Sequence, residues 1–473
     1  MVLPFSHLTL QFNRAVSEAE QIDIVGNTSG NNIPSTDNFN LTSGYSIEPI
    51  VWNLTASDTL TFDDNGTMYI GEAGYPFTDI PKVPRILKVT PSGNISVFVD
   101  RNLNSPIVDV VFHNGLLYVS HTHKVSTVNL ANGSVQDIIV GLPSTFTHPN
   151  NQIAFSPDGK RLYVGIGSAT NSGVIGLDDY MLGWLANNPT GHDIPGMNIT
   201  LAGRNFVTPN PLTADKNDTA TTGAFVPFGT PTNQGQVITG NPKCNGCIIS
   251  ANLDGTDLKV VGWGFRNPTG LAFNEDGKLF AVNHGSDQRG SRPIANDSDK
   301  FHEVILNETA FYGWPDFFGN AEPVTDPKFK SPRGGNRPLE FLMQDHPPVE
   351  KPLALFEPVH ASGIQIAFAN ESFGFPGEGF VAQIGTDAPI SRPPPPTGVI
   401  IGQNVVRVNV DNKSVSEFLS LNNATTAFRP TDVVFSQNGT ALYIVDWGNV
   451  SFTNTGPVTM PNSGVVWKVT PTS

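Results

Sequence analysis

The sequence predicts an all-β fold, a six-bladed β-propeller with four-stranded blades, and three observations carry that prediction. One phrase returns six times, an apolar triplet, a turn, then an apolar stretch that stops at Gly or a polar residue. The copies read LTFDDNGTMYIGEAG from Leu60, VVFHNGLLYVSHTH from Val110, IAFSPDGKRLYVGIGS from Ile153, LAFNEDGKLFAVNHGS from Leu271, IAFANESFGFPGEGFVAQIGT from Ile366 and VVFSQNGTALYIVDWG from Val433. Five share an Asn-Gly or Asp-Gly turn, which supplies the positive backbone dihedrals of a tight hairpin between β-branched and aromatic strands. Most copies are followed by a further strand, in RILKVTPSG from Arg85, KVSTVNLANGS from Lys124, CIISANLDGTD from Cys247, VVRVNVDNKS from Val405 and VVWKVTPTS from Val465. A β-sandwich does not demand near-identical hairpins, so the repeat favours blades.

The repeats run from residue 60 to the end of the 473-residue chain, so residues 46–473 read as one propeller behind an N-terminal extension, 1–45. The third copy is separated from its next strand by an insertion, 169–240, which carries Trp184, His192, Phe225 and Phe228. A long loop with aromatic residues and no core of its own reads as a cap over one end of the channel. A second irregular stretch, 385–402, holds a proline run that cannot form a central strand.

A net charge of −15 with no basic cluster argues against nucleic acid and anionic lipid as partners, and no stretch approaches a membrane span. A small molecule and a monomer are expected. Asn-x-Ser/Thr sequons begin at Asn27, Asn40, Asn53, Asn65, Asn94, Asn132, Asn198, Asn217, Asn296, Asn307, Asn370, Asn412, Asn423, Asn438 and Asn449, which fits a secreted glycoprotein. The N-terminal MVLPFSHLTLQF shows no evident signal peptide. The two cysteines, Cys244 and Cys247, have no second pair for zinc and no following helix for thioredoxin chemistry, so a disulfide pinning a turn is expected.

Each hairpin end meets the channel mouth in a propeller. Those ends offer Glu72, His121 or His123, Ser168, His284, Gln383, and Asp446 with Trp447, and THPNNQ brings His148 to the same place. The histidine spacing matches no zinc template.

Four motifs then acquire meaning together: R-N-P-x-G from Arg266, Y-G-W-P from Tyr312, H-x-x-N-x-I-x-F-x-P-D-G from His148, and R-P-x-D from Arg429. With them the chain resembles the soluble quinoprotein glucose/sorbosone dehydrogenases, six-bladed propellers that oxidise sugars with pyrroloquinoline quinone (PQQ) and calcium. The resemblance implies that His148 is the general base, that Arg266 and Asn267 contact the quinone, and that Gly285 and Ser286 hold calcium through backbone carbonyls. It places Tyr312 and Trp314 near the substrate mouth and Arg429 near the cofactor carboxylates. After the fifth hairpin, the family's cationic motif is replaced by IGTDAPISR from Ile384, where only Arg392 restores a charge. The family's carboxylate behind the base is replaced by Ser168. The expected function is a secreted sugar oxidoreductase. The alternatives are a cofactor-free isomerase, lyase or cyclase of secondary metabolism, with His148, Arg266 and His284 polarising a carbonyl between aromatic walls, and a non-catalytic binding propeller.

Overall fold

The computed structural model describes residues 33–73, 83–144, 146–422 and 428–472. Six sheets stand round a central channel. Blade one is Ser57–Phe62, Met68–Glu72, Arg85–Val89 and Ile95–Val99, and blade two is Ile107–His113, Leu116–His121, Lys124–Asn129 and Val135–Val140. Blade three is Asn150–Phe155, Arg161–Ile166, Cys247–Asn252 and Lys259–Trp263, with Ala310–Phe311 added at its edge. Blade four is Pro268–Phe273, Leu279–Asn283, Asp299–Val304 and Ala354–Phe356. Blade five is Gly363–Phe368, Gly379–Gln383, Asn404–Asn409 and Ser414–Leu421. Blade six joins Pro430–Phe435, Leu442–Asp446 and Gly464–Pro471 to Tyr45–Leu54, so strands from both ends of the chain share one sheet and close the ring.

Every predicted hairpin is present as the first two strands of a blade. Phe39–Leu41, within the stretch read as an extension, pairs along the outer edge of blade five. The third strand of blade four, Asp299–Val304, has no counterpart among the predicted segments, because a loop over 284–298 separates it from its hairpin. That loop carries much of the site described below.

Apolar side chains fill the spaces between blades. Leu60, Ile70 and Leu87 of blade one pack with Val445 and Val466 of blade six, while Tyr69 and Ile86 pack with Val110, Leu117 and Val128 of blade two. At about 1.5–3 kcal/mol for each fully buried aliphatic side chain, these inter-blade faces are the main source of cohesion. Cys244 and Cys247 are joined in a disulfide at the start of the third strand of blade three.

The first strands of the six blades contact one another in a ring. Each has its ladder shifted at the same place, between Ser57 and Thr59, Ile107 and Asp109, Asn150 and Ile153, Pro268 and Gly270, Gly363 and Ile366, and Pro430 and Asp432. A bulge frees a residue from pairing and re-aims its side chain. Directly beyond the bulges, a polar ring stitches blades together: Asp109 Oδ2 accepts from Ile153 N at 2.7 Å, Gln152 Oε1 from Leu271 N at 2.7 Å, and Asp432 Oδ2 from Leu60 N at 2.9 Å.

Burial, reinforced for Asp109 by the charge of Asp432, pushes Asp109 up to about 8 and Asp432 up to about 7. Folded chains therefore hold protons that unfolded chains, with aspartates near 3.8, have already released. Where the folded state binds more protons, raising the pH destabilises it. We expect the stability contributed by these two groups to decline as pH rises from about 4 and to be gone above about 8, and Asp432→Asn to flatten the fall of Tm between about pH 6 and pH 9. A thermal series against pH on both proteins checks this, and an equally steep fall in the variant contradicts it.

Candidate functional site

At the end where first strands begin and second strands finish lies a cavity of ≈ 210 Å³. Its floor is formed by the bulged residues, Asp58, Val108, Asn151, Thr269, Ile364 and Thr431, one from each blade. The wall above is made by residues just ahead of the first strands, among them His148, Arg266 and His360, and by the loop after the second strand of blade four, with His284, Gly285, Asp287 and Arg289. Trp184, Trp447 and Phe452 stand among the lining residues as well.

His148 is buried, and its Nδ1 lies 2.9 Å from the carbonyl oxygen of Ser168. That acceptor fixes the tautomer, with Nδ1–H donating and Nε2 left as a lone pair. Burial, then the charges of Arg266 and Arg289, hold His148 well below the usual histidine range. The side chain of Ser168 donates to Thr170 O at 2.6 Å. Where the resemblance places a carboxylate behind the base, the backbone carbonyl of Ser168 therefore does the orienting. Gly167 makes the close approach possible, since a Cβ there would meet His148 Cβ at 2.3 Å and Asn267 Oδ1 at 2.5 Å.

Arg266 and Asn267 are set by Asn283 Oδ1, which accepts from both backbone N–H groups at 3.1 and 2.9 Å. The Arg266 guanidinium donates to Asp287 Oδ2 at 2.6 Å and to Asn171 O and Oδ1 at 3.2 Å. Arg289 reaches the same Asp287 oxygen through Nε at 2.9 Å and pairs with Asp178. Asp287 is held well below the usual carboxylate range, because its contacts to Arg266, His360 and Arg289 outweigh burial. His360 is correspondingly raised: burial alone would lower it, but its contact with Asp287 prevails.

His284 bridges Gly363 O at 2.6 Å and Asn267 Nδ2 at 3.3 Å, so both ring nitrogens are engaged. It braces the wall rather than offering a free nitrogen. The N–H groups of Gly285 and Ser286 donate to Asp299 Oδ1 at 2.8 Å and Asp297 Oδ2 at 2.6 Å. Their carbonyl oxygens accept no hydrogen bond among the described residues. A Cβ at position 285 would lie 2.0 Å from Asp297 O, so the turn accepts only glycine.

Several expected site residues lie elsewhere. Phe225 is buried against Trp314, whose indole N–H donates to Asn171 O at 3.2 Å. Tyr312 stacks on Phe265 with ring centroids 4.1 Å apart, behind the wall. Gln383 ends a buried strand, Phe228 is half-buried away from the cavity, and His192 pairs with the carbonyl of Thr190. None of these lines the cavity. Large rings at low exposure are worth more in the core, which is where they went. His121 bonds Asn104 N and Ser126, and Glu72 pairs with Arg85, so the expected convergence of hairpin ends reduces to His148, His284 and Trp447. Arg392 does not restore a cation: it bonds Pro393 O and Val359 O outside the cavity. Arg429 sits just behind the rim, tied to Ile384 O and Thr386 O at 2.8 and 3.1 Å, with burial pulling it down to about 10.

Asp58, Asn171, Asp287, Arg289 and His360 had no place in the sequence reading. For His360 a signal exists: it precedes its strand by three residues, much as His148 and Arg266 precede theirs by two. The insertion caps the site in part. Leu182 and Trp184 line the cavity and Asn171 anchors the wall, but Ile199–Ala202 with Gln234–Ile238 and Asn205–Pro209 with Thr219–Gly223 form two separate hairpin sheets. Among the described sequons, each asparagine except half-buried Asn370 is exposed, and Asn27 and Asn423 lie outside the described residues.

No helix among the described residues is long and apolar enough to cross a membrane, and no cluster of three or more His, Cys, Asp or Glu is arranged to hold a metal. A metal at this mouth would therefore rest on carbonyls. The donor set suits it: the carbonyls of Gly285 and Ser286, unbonded among the described residues, are hard oxygen ligands, and Gly285 lines the cavity together with Arg266 and Arg289.

No family model matches the chain, and no curated protein matches its sequence. Solved structures do. The PQQ domain of pyranose dehydrogenase from Coprinopsis cinerea, in its holo form, is 14% identical with a TM-score of 0.56 over 92% of this chain and 98% of its own. A carbohydrate-active enzyme of Trichoderma reesei in its calcium structure is 16% identical, TM-score 0.56, over 93% and 99%. The PQQ-bound aldose sugar dehydrogenase of Streptomyces coelicolor is 14% identical, TM-score 0.52, over 91% and 99%. The chain thus has the six-bladed propeller fold of the quinoprotein sugar dehydrogenases.

Proposed function

We propose that the chain is an oxidoreductase that oxidises an alcohol carbon of a small uncharged hydroxylated molecule, a sugar or sugar-like alcohol, with PQQ and calcium at the channel mouth. One juxtaposition carries this reading: His148, whose pKa burial holds low, lines the same cavity as Arg266, Asn267 and Gly285, and the carbonyls of Gly285 and its neighbour Ser286 accept no hydrogen bond among the described residues. The quinone, when bound, supplies a two-electron oxidant. His148 takes the substrate hydroxyl proton at Nε2, and its Nδ1–H to Ser168 O stabilises the ring as it becomes charged. Arg266 and Asn267 face the oxygens where negative charge grows. Gly285 and Ser286 would hold calcium, and Arg266 and Arg289 would take anionic oxygens of the cofactor. The single disulfide and the exposed sequons support passage through the secretory pathway.

Charge in the wall is nearly balanced, because Asp287 and Asp178 accompany Arg266 and Arg289 and residues 384–387 bring Asp387 instead of a cation. A polyanionic cofactor therefore depends on calcium for the missing positive charge. Reconstitution with PQQ should give a bound chromophore and dye-linked sugar oxidation with calcium present and neither with a chelator.

The same balance favours one second reading, a cofactor-free acid–base enzyme using His148. Failure of PQQ to bind with calcium in excess would overturn the first reading, and cofactor-free turnover lost in His148→Gln would establish the second.

A further inference from the structure

The cavity floor contains one polar side chain, that of Asp58, that no other described residue engages. Of its six bulged residues, Val108 and Ile364 are apolar. Asn151 Nδ2 donates to Asn267 Oδ1 at 2.8 Å, Thr269 Oγ1 to Gly363 O at 2.8 Å, and Thr431 Oγ1 to Ser57 O at 3.4 Å. Asp58 is the only ionisable member of the ring, and its carboxyl has no hydrogen-bond or ion-pair partner among the described residues. Its place is set by the backbone: the shift between Ser57 and Thr59 removes it from the ladder, and the same shift turns its five counterparts to the cavity. Blade one stands three blades from blade four in the ring, so Asp58 faces the Arg266 wall across the channel.

We propose that Asp58 is the ligand-binding residue of this floor, donating a hydrogen bond from its carboxyl group to an uncharged oxygen of the bound molecule. Burial, followed by the charges of Asp432 and Asp109 behind it, holds Asp58 well above the usual carboxylate range, which keeps the donor hydrogen in place. A carboxylic acid among two further carboxyl groups accepts a hydroxyl or carbonyl oxygen and disfavours an anion. The site therefore selects neutral hydroxylated molecules over their acidic counterparts. This rests on the oxidoreductase reading for the substrate class only; the donor role is a property of the floor.

The test uses two substitutions already present elsewhere in the ring, so that folding is preserved: Asp58→Asn, as at Asn151, and Asp58→Val, as at Val108. The infrared difference spectrum of the intact chain minus each variant should contain a protonated-carboxyl C=O band, beyond those that Asp109 and Asp432 contribute to parent and variants alike. Calorimetry with D-glucose on the chain without cofactor should show Asp58→Val weakened about tenfold and Asp58→Asn within about threefold of the parent, with D-glucuronate bound about tenfold less tightly than D-glucose by the parent. In the reconstituted enzyme the same loss appears in KM, with kcat within about threefold. Absence of the band, or equal D-glucose affinity in the parent and Asp58→Val, including none in either, overturns the proposal. Absence of dye-linked turnover alongside an Asp58-dependent affinity overturns only the oxidoreductase reading.

Discussion

His148→Gln is expected to lower kcat by about 10²–10⁴-fold with little change in Tm, the range by which a positioned proton acceptor accelerates a reaction. The argument is geometric first. His148 Nδ1 is committed to Ser168 O at 2.9 Å, so the only nitrogen able to receive a proton is Nε2, which has no protein partner among the described residues. It is electrostatic second. Burial and then Arg266, Arg289 and His284 all disfavour the charged ring, and only the Ser168 carbonyl favours it. A base whose pKa is lowered is in its working form at every pH above that lowered value. The acid limb of kcat/KM for the parent enzyme should therefore lie below 6.5, the ordinary histidine value. Glutamine keeps a polar group of similar reach but accepts no proton at these pH values, so the limb should vanish together with the rate. Pre-steady-state and steady-state rates of dye-linked oxidation against pH check both statements. A variant retaining more than about a tenth of parental kcat would remove His148 from the chemistry.

The fold was legible because its information is local. An Asn-Gly or Asp-Gly turn between alternating apolar residues specifies a hairpin whatever surrounds it, and six copies at similar spacing leave few architectures. His148, Arg266, Asn267, His284 and Gly285 were legible for a related reason, since each sits at a fixed distance from a hairpin. Asp58 was not, because a bulge shifts which residue faces the channel by one position and leaves no mark in composition. Asp287 and Arg289 lie in the loop over 284–298, beyond the periodic segment that anchors an alignment of repeats. Asn171 joins the site only through contacts made more than ninety residues along the chain, with Arg266 and Asp287. Two aromatic residues misled in the opposite direction. Phe225 of the insertion and Trp314 of the Y-G-W-P motif were expected near the substrate, yet at 5% exposure each they serve the packing that holds Asn171 in place.

Asp287 is where stability and function meet, and Asp287→Ala is expected to cost about 3–5 kcal/mol, the effect of leaving a buried charge uncompensated. Its Oδ2 accepts from Arg266 and Arg289, guanidiniums that are only 3% and 8% exposed, and the variant leaves Asp178 as the one carboxylate paired directly with either. Asp287 N also donates to Asn171 Oδ1 at 2.7 Å, but that bond involves backbone and survives the substitution. The loss is therefore electrostatic, and it should appear as a lower urea midpoint with an unchanged m-value. Asp287→Asn, which keeps the shape and removes the charge, should be destabilised nearly as much. A shift within about 0.5 kcal/mol of the parent would show that solvent already reaches this pair. The same reasoning gives a sign for anions. With Asp287 gone, Arg266 lines the cavity without a carboxylate partner and Arg289 keeps only Asp178, and any anion that binds the folded state alone must raise its stability by mass action. Inorganic phosphate should therefore raise the midpoint of Asp287→Ala and leave that of the parent nearly unmoved. If both rise equally, phosphate is acting on the chain in general; if only the variant rises, Asp287 is the built-in anion that keeps other anions from these guanidiniums.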